Sequence, residues 1–167
     1  MSGAGSDVIT RGGSRAPRWG AAWLALTAAF ALHVADEATH DFLSWYNPTV
    51  LGLRARLGFF PMPVFTFRVW LTGLIVAVVL FALLARFAFR GARWLVPVAY
   101  AYALIHLANG LGHITVSVLN GRLMPGVLSA PVLLAAAAWL LVETTRVRRL
   151  QGAEAARVGS AETKAPA

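Results

Sequence analysis

Four long apolar segments constrain the fold of this chain more than any other feature of the sequence. They cover residues 19–40, 67–89, 94–119 and 126–145, and each contains 20 residues or more. A helix of that length crosses the ~30 Å of hydrocarbon in a bilayer. Hydrophobic residues make up 58% of the chain and charged residues only 13%, about half the charged share of soluble domains. The sequence therefore predicts an all-α, polytopic membrane four-helix bundle with the lipid bilayer as its partner, and it excludes an ordinary soluble domain.

The basic residues predict how the four segments are oriented. The net charge is +8, but the arginines lie at the ends of the apolar segments and form no basic face, so no nucleic-acid partner is expected. With a cytoplasmic N-terminus, eleven Lys and Arg residues fall inside, and four fall outside: Arg54, Arg56, Arg68 and Arg122. The positive-inside rule then places the protein in the plasma (inner) membrane as a multi-pass protein with both termini cytoplasmic.

The segments outside the spans divide the rest of the chain. Residues 1–18 are rich in Gly, Ser and Arg and predict a disordered cytoplasmic tail, residues 19–145 form the four-span domain, and residues 146–167 form a basic and then loose cytoplasmic tail. The connection 41–66 predicts a short amphipathic surface helix over 48–57, with Arg54 and Arg56 on its wet side, which acts either as a lid or as a plain connector. An alternative for residues 18–31 is a cleaved signal peptide.

All four histidines lie in two of the predicted spans, together with acidic and amide side chains. Offsets of three, four and seven residues place side chains on one face of a helix. The first span carries His33, Asp36, Glu37 and His40, and the third carries His106, Asn109 and His113. Ionisable residues inside a span face the bundle interior and mark functional sites. The two polar faces are therefore predicted to meet.

The sequence also predicts which residues of the first span lie level with which residues of the third. If the Arg-Trp pairs that begin the first and third spans are equivalent anchors, His33 lies level with His106 and His40 lies level with His113. The same shift of 73 residues aligns the two polar segments with each other. This internal similarity predicts two parallel two-helix repeats, an arrangement that transporters use.

Three short patterns resemble one known family. They are His33-x-x-Asp36-Glu37 in the first span, Asn109-x-x-x-His113 in the third, and Pro125-Gly126 before the fourth. These patterns resemble the HXXEE family of small bacterial membrane proteins, which is defined by its motif and has no assigned activity. The resemblance covers about residues 20–145 and implies a fold and candidate residues but no reaction. The family pattern implies Glu where this chain has Asp36, and Tyr where it has Leu123.

The residue types at the two polar faces suit a metal ion. Imidazole and carboxylate groups at helical spacing bind Zn²⁺, Fe²⁺ or Mn²⁺ in helical bundles. The candidate ligands are His33, Glu37, His40, His106 and His113, and Asp36 and Asn109 are candidates to orient them. Such a site could activate water or O₂ against a membrane-soluble small molecule. No residue is assigned a catalytic role from the sequence.

Three other interpretations of the same residues remain open. Asp, Glu and His side chains inside spans also serve as proton relays or ion-coupling sites of carriers. Histidines on facing helices could ligate haem, although haem pockets are mostly apolar. A buried polar network could also serve only to fix helix pairing. The chain contains no Cys, so disulfides and thiolate metal sites are excluded. The sequence assigns neither a substrate nor an oligomeric state.

Overall fold

The computed structural model of the chain describes residues 16–162, and these form five α-helices. The helices are α1 (Ala16–Thr39), α2 (Phe42–Leu57), α3 (Phe67–Phe89), α4 (Leu95–Asn120) and α5 (Ala130–Glu162). Between residues 16 and 162 there is no β-strand, so the prediction of an all-α fold is confirmed. The predicted N-terminal tail lies outside the described residues except for its last three, which begin α1.

Three helices are long and apolar enough to cross a membrane: Phe67–Phe89, Leu95–Asn120 and the Ala130–Arg157 part of α5. They correspond to the second, third and fourth predicted spans, and they indicate that the protein is embedded in a membrane. Helix α1 occupies the position of the first predicted span and has 24 residues, but it is not among the three helices that are apolar enough to cross a membrane. Its tryptophans and the polar side chains near its C-terminus account for the difference.

Helix α1 lies inside the bundle. It packs against α3 on one side and α5 on the other, and α4 packs on α5. Trp19, Trp23 and Leu26 are fully buried. The Trp23 indole donates to the carbonyl of Phe81 in α3 at 2.7 Å, and the Trp19 indole donates to the Thr144 hydroxyl in α5 at 3.0 Å. Helix α1, which carries polar side chains near its C-terminus, is thus shielded by protein, while most of α3 is exposed and presents its apolar side chains to the surrounding lipid.

The helix contacts differ between the two predicted repeats. Each half contains a packed pair of helices, α1 with α3 and α4 with α5. Gly110 allows the close approach of α4 to α5, because a Cβ atom there would lie 2.8 Å from Leu134 Cγ. A two-fold relation would also require α4 to pack on α3 as closely as α1 packs on α5, and it does not. The repeat therefore remains a prediction from sequence similarity.

Helix α2 and the segment after it form a connector held by side-chain hydrogen bonds. The helix is longer than predicted, since it begins at Phe42 instead of residue 48. Asn47 donates to the Phe65 carbonyl at 2.9 Å and accepts from the Phe65 amide at 3.1 Å, and Arg54 Nε donates to the Phe60 carbonyl at 3.3 Å. Arg54 is therefore half-buried against the connector, which differs from the wet side predicted for it.

Helix α5 continues well past the fourth predicted span and ends at Glu162. Most of the segment that was predicted to be loose after residue 150 is helical. Two contacts tie this extension to the turn between α3 and α4: Arg93 pairs with Glu154 at 3.1 Å, and the Gln151 amide donates to the Gly91 carbonyl at 3.3 Å. An Ala-rich sequence favours helix once such contacts hold one face.

Candidate metal centre

The polar residues of α1 and α4 meet beside the turn that leads into α5. His33 and Glu37 lie one turn apart on α1, and both are buried. His113 reaches them from α4, and its side chain is 10% exposed. One ligand atom from each of the three side chains lies within 4.8 Å of the other two. This is the one group of three or more metal-ligating side chains found among residues 16–162.

The distances within the cluster match those between ligands of one ion. Glu37 Oε1 lies 3.0 Å from His113 Nε2 and 3.7 Å from His33 Nε2. Two donor atoms that coordinate the same Zn²⁺ in a tetrahedral arrangement lie about 3.4 Å apart. The amide of Asn109 is the fourth side chain here, with Oδ1 at 3.2 Å from His33 Nε2. The three groups could therefore hold a cation with little movement.

The other ring nitrogen of each histidine faces an oxygen atom. His113 Nδ1 lies 2.6 Å from the carbonyl of Pro125, which can only accept, so Nδ1 carries the proton. His33 Nδ1 lies 2.8 Å from the Ser129 hydroxyl. That hydroxyl gives its own proton to Asp36, as described below, so His33 Nδ1 donates to it. In the neutral rings both Nε2 atoms then have lone pairs, as metal binding requires, whereas without an ion the contacts of Nε2 with Glu37 Oε1 and Asn109 Oδ1 call for a proton on Nε2.

Asp36 supports the cluster from behind. Its Oδ2 accepts from the Ser129 amide at 2.9 Å and from the Ser129 hydroxyl at 2.7 Å. Ser129 directly precedes α5, so the carboxylate lies at the positive end of that helix. The result is a chain of hydrogen bonds that runs from the Asp36 carboxylate through the Ser129 hydroxyl to the His33 imidazole. Hydrogen bonds of this kind hold metal-bound imidazoles in a fixed orientation.

Gly126 closes the site on the side of the α4–α5 turn. It has φ +85°, in the left-handed region that favours glycine. A Cβ atom at this position would lie 2.7 Å from His113 Cε1 and 2.9 Å from His33 Cε1. The absence of a side chain therefore lets the two rings pack against each other, with their centroids 4.7 Å apart.

Two of the five candidate ligands from the sequence lie outside this cluster. The side chain of His40 is 51% exposed and pairs with Asp36 Oδ1 at 2.9 Å. His106 is buried, but its Nδ1 lies 2.8 Å from the Tyr102 carbonyl and its ring packs against Phe30 and Tyr102. His33, Glu37 and His113 are brought together, and Asp36 and Asn109 lie beside them.

The predicted register between α1 and α4 is wrong by one to two turns. The ring that packs against His33 is that of His113, not that of His106. Phe30 packs against His106 instead, so the paired residues are 76 to 80 positions apart in the sequence and not 73. Trp19 is fully buried, whereas Trp94 is half exposed, so the two tryptophans are not equivalent anchors as the prediction assumed.

No pattern in the sequence predicted a role for Ser129 in the site. Its position one residue before a helix is a common one for a capping residue, but nothing in the sequence indicated that it would contact His33 and Asp36. Gly126 and Pro125 were noticed only through the family resemblance. The observed role of Pro125 is carried by its backbone carbonyl, which no side-chain pattern can indicate.

The comparison with protein families assigns the chain to one family. Residues 23–140, well over half of the chain, match a family described as a protein of unknown function with an HXXEE motif. The chain belongs to the HXXEE family. No curated protein matches the chain, and no solved structure does.

The HXXEE motif of this chain is His33-Val-Ala-Asp36-Glu37, and its three polar residues have separate positions in the site. His33 and Glu37 direct ligand atoms into the cluster. Asp36 lies outside the cluster and accepts hydrogen bonds from Ser129, whose hydroxyl contacts the other ring nitrogen of His33. The motif thus supplies two candidate ligands and the group that orients one of them.

Proposed function

We propose that this HXXEE protein is an integral membrane protein of four spans that binds a divalent transition metal, Zn²⁺, Fe²⁺ or Mn²⁺, through His33, Glu37 and His113. The observation that carries the proposal is the convergence of two imidazole nitrogens and one carboxylate oxygen within 4.8 Å in a buried position. Both imidazoles have their Nδ1 atoms occupied by oxygen acceptors, which leaves Nε2 for the ion. A buried carboxylate without a cation would be costly in this position.

A site with three protein ligands also suits catalysis. Catalytic zinc sites use three side chains and keep the fourth position for water or substrate. A metal ion at such a site lowers the pKa of its water and polarises a substrate carbonyl or phosphoryl group. We infer that the corresponding activity is that of a membrane metalloenzyme acting on a lipophilic substrate.

The test of metal binding is elemental analysis of the protein purified in detergent without added chelator. We expect about one Zn, Fe or Mn ion per chain, and removal with a chelator should lower the thermal stability, because a bound ion stabilises only the folded state. Protein that contains no metal and gains no stability from added Zn²⁺, Fe²⁺ or Mn²⁺ would contradict the proposal.

The orientation in the membrane has its own test. Because the chain contains no Cys, a single introduced cysteine reports one position without background. We expect Arg56→Cys to react with a membrane-impermeant maleimide from outside intact cells and Arg90→Cys to react only after permeabilisation. The reverse result would place the termini outside and the HXXEE site in the cytoplasmic half.

A proton relay is the second candidate function, and a continuous line of polar contacts favours it. The half-exposed His40 pairs with Asp36, Asp36 accepts from Ser129, and Ser129 accepts from His33, which lies beside Glu37. Such a line could carry protons between the surface and the buried cluster. Proteoliposomes with a trapped pH-sensitive dye distinguish the two: proton flux in metal-free protein, lost in Ser129→Ala, supports the relay.

A further inference from the structure

A cleft of about 440 Å³ lies beside the candidate metal centre, at the ends of α1 and α4. One wall is formed by the α1–α2 turn and the start of α2, and includes His40, Asp41 and Trp45. The other wall is the α4–α5 turn, and includes Arg122 and Leu123. Because helices leave the hydrocarbon at their ends, and Trp favours the membrane–water interface, this cleft is expected at the level of the lipid headgroups.

The cleft carries one positive and one negative charge that do not neutralise each other. Among residues 16–162, neither Arg122 nor Asp41 forms an ion pair with the other or with a third residue. The Asp41 carboxylate accepts a hydrogen bond from the Ser44 hydroxyl. Although Asp41 is the N-cap residue of α2, its side chain does not bond to a backbone amide of that helix. Both charged groups therefore remain available to a ligand.

Asp41 and Arg122 both lie on turns whose backbone conformation is well defined. Asp41 has φ +53°, and Asp is one of the few residue types that tolerate this left-handed conformation. Gly121 ends α4 with φ +60°, and the amide of Arg122 donates to the Ser117 carbonyl at 3.2 Å. Ser117 also fixes the next part of the turn, since its hydroxyl accepts from the Met124 amide at 3.1 Å. The backbone therefore fixes where the two charged side chains begin, on facing walls of the cleft.

Apolar side chains border the charged pair. Trp45 lies in the wall beside Asp41, and Leu123, which follows Arg122, is largely exposed. An indole at an interface packs against the region between a headgroup and its acyl chains. The ligand that matches this surface has a positive and a negative group close together and an apolar part attached to them.

We propose that this cleft binds the headgroup of a phosphatidylethanolamine lipid. Arg122 pairs with the phosphate, Asp41 accepts hydrogen bonds from the primary ammonium, and Trp45 and Leu123 contact the lipid beyond the headgroup. Phosphatidylglycerol lacks the ammonium, and the ammonium of phosphatidylcholine has no N–H to donate. The proposal is independent of the proposed metal, although the cleft shares His40 and Pro125 with the surroundings of the metal centre.

The first test compares headgroups on the full-length protein in a nonionic detergent with EDTA present. Short-chain phosphatidylethanolamine, phosphatidylcholine and phosphatidylglycerol are titrated by calorimetry. We expect phosphatidylethanolamine to bind about tenfold more tightly than the other two, the size of effect that one charge-assisted hydrogen bond produces. Equal affinities, or preference for phosphatidylglycerol, would overturn the proposal. Phosphoethanolamine binding as tightly as the lipid would overturn a lipid as the occupant.

The second test assigns the two charges. Arg122→Gln should weaken phosphatidylethanolamine and phosphatidylglycerol about equally, by about tenfold. Asp41→Asn should weaken phosphatidylethanolamine only, down to the level of phosphatidylcholine. Arg68→Gln, an exposed arginine outside the cleft, is the matched control and should change nothing. An unaffected Asp41→Asn variant, or an equal loss in Arg68→Gln, would overturn the proposal. His113→Ala should keep the lipid preference, so failure of metal binding and failure of lipid binding are separate results.

Discussion

The two ends of the helical bundle each bury one carboxylate but surround it with different partners. Glu37 is 5% exposed and lies between the imidazoles of His33 and His113. Glu143, near the other end, is 1% exposed and pairs with Arg146 at 2.7 Å and Arg18 at 3.6 Å. Guanidinium groups are always protonated, whereas imidazoles are neutral at physiological pH unless a partner holds them charged. Glu143 therefore has permanently charged partners, whereas the partners of Glu37 are groups that can also coordinate a metal ion.

This comparison shows that burial of an acidic residue in a span does not by itself indicate a metal site. The arginines beside Glu143 are half exposed and reach the surface, so that end of the bundle has a structural ion network. The groups beside Glu37 are ligands with their lone pairs turned inward. The type of neighbour, and not the depth of the carboxylate, separates the two regions.

The largest expected effect is the loss of metal in His113→Ala. Removal of one of three ligands should reduce bound metal from about one ion per chain to near zero. His106→Ala is the matched control, because His106 is a buried histidine on the same helix that lies outside the cluster. Elemental analysis of both variants measures the bound metal per chain. Equal metal contents would mean that the cluster is not the binding site.

Glu37→Gln and Glu143→Gln should have opposite consequences. An amide in place of the Glu37 carboxylate is a poor ligand, and metal affinity should fall about a hundredfold with little change in the stability of the metal-free protein. Glu143→Gln should retain full metal affinity and lose about 1 kcal/mol of stability, since its partners are half exposed. For both variants, metal titration measures the affinity and thermal unfolding measures the stability. If metal affinity and stability change in the same way in both variants, the two buried carboxylates do not have the different roles described here.

Gly126→Ala should disturb both the stability and the metal centre. The new Cβ would meet the rings of His113 and His33 at 2.7–2.9 Å in a backbone conformation that Ala rarely adopts, so we expect a loss of about 2 kcal/mol. Gly112→Ala is the control, because a Cβ there meets nothing within 4 Å. Thermal unfolding compares them, and a tolerated Gly126→Ala would indicate that the rings do not pack as described.

Ser129→Ala should produce the smallest change. The substitution removes the hydroxyl that links Asp36 to His33 but leaves all three ligands in place. Loss of a group that orients a ligand lowers metal affinity by about tenfold or more. Ser44→Ala, a hydroxyl that bonds Asp41 outside the cluster, should leave the metal affinity unchanged. A Ser129→Ala protein with unchanged affinity would show that Asp36 does not act on His33 through this residue.

The sequence by itself determined the helices and the face of each helix that carries polar groups. Apolar length placed α3 and α4 within one residue of their observed bounds. The spacing of three and four residues on α1 grouped His33, Asp36 and Glu37, and all three take part in the observed site. These features are local, because a helix fixes the direction of each side chain relative to its neighbours along the chain.

Only the tertiary structure decided which residues of different helices meet. Periodicity fixes the rotation of a face but not how far one helix slides along another. That translation is set by packing such as the burial of Trp19 against Thr144, and of Trp23 between Phe81 and Tyr102. A slide of about two turns exchanged His106 for His113 as the ring that packs against His33. The contributions of Ser129 and of the Pro125 carbonyl likewise depend on where the α4–α5 turn passes, since a backbone atom or an isolated hydroxyl leaves no periodic signal in the sequence.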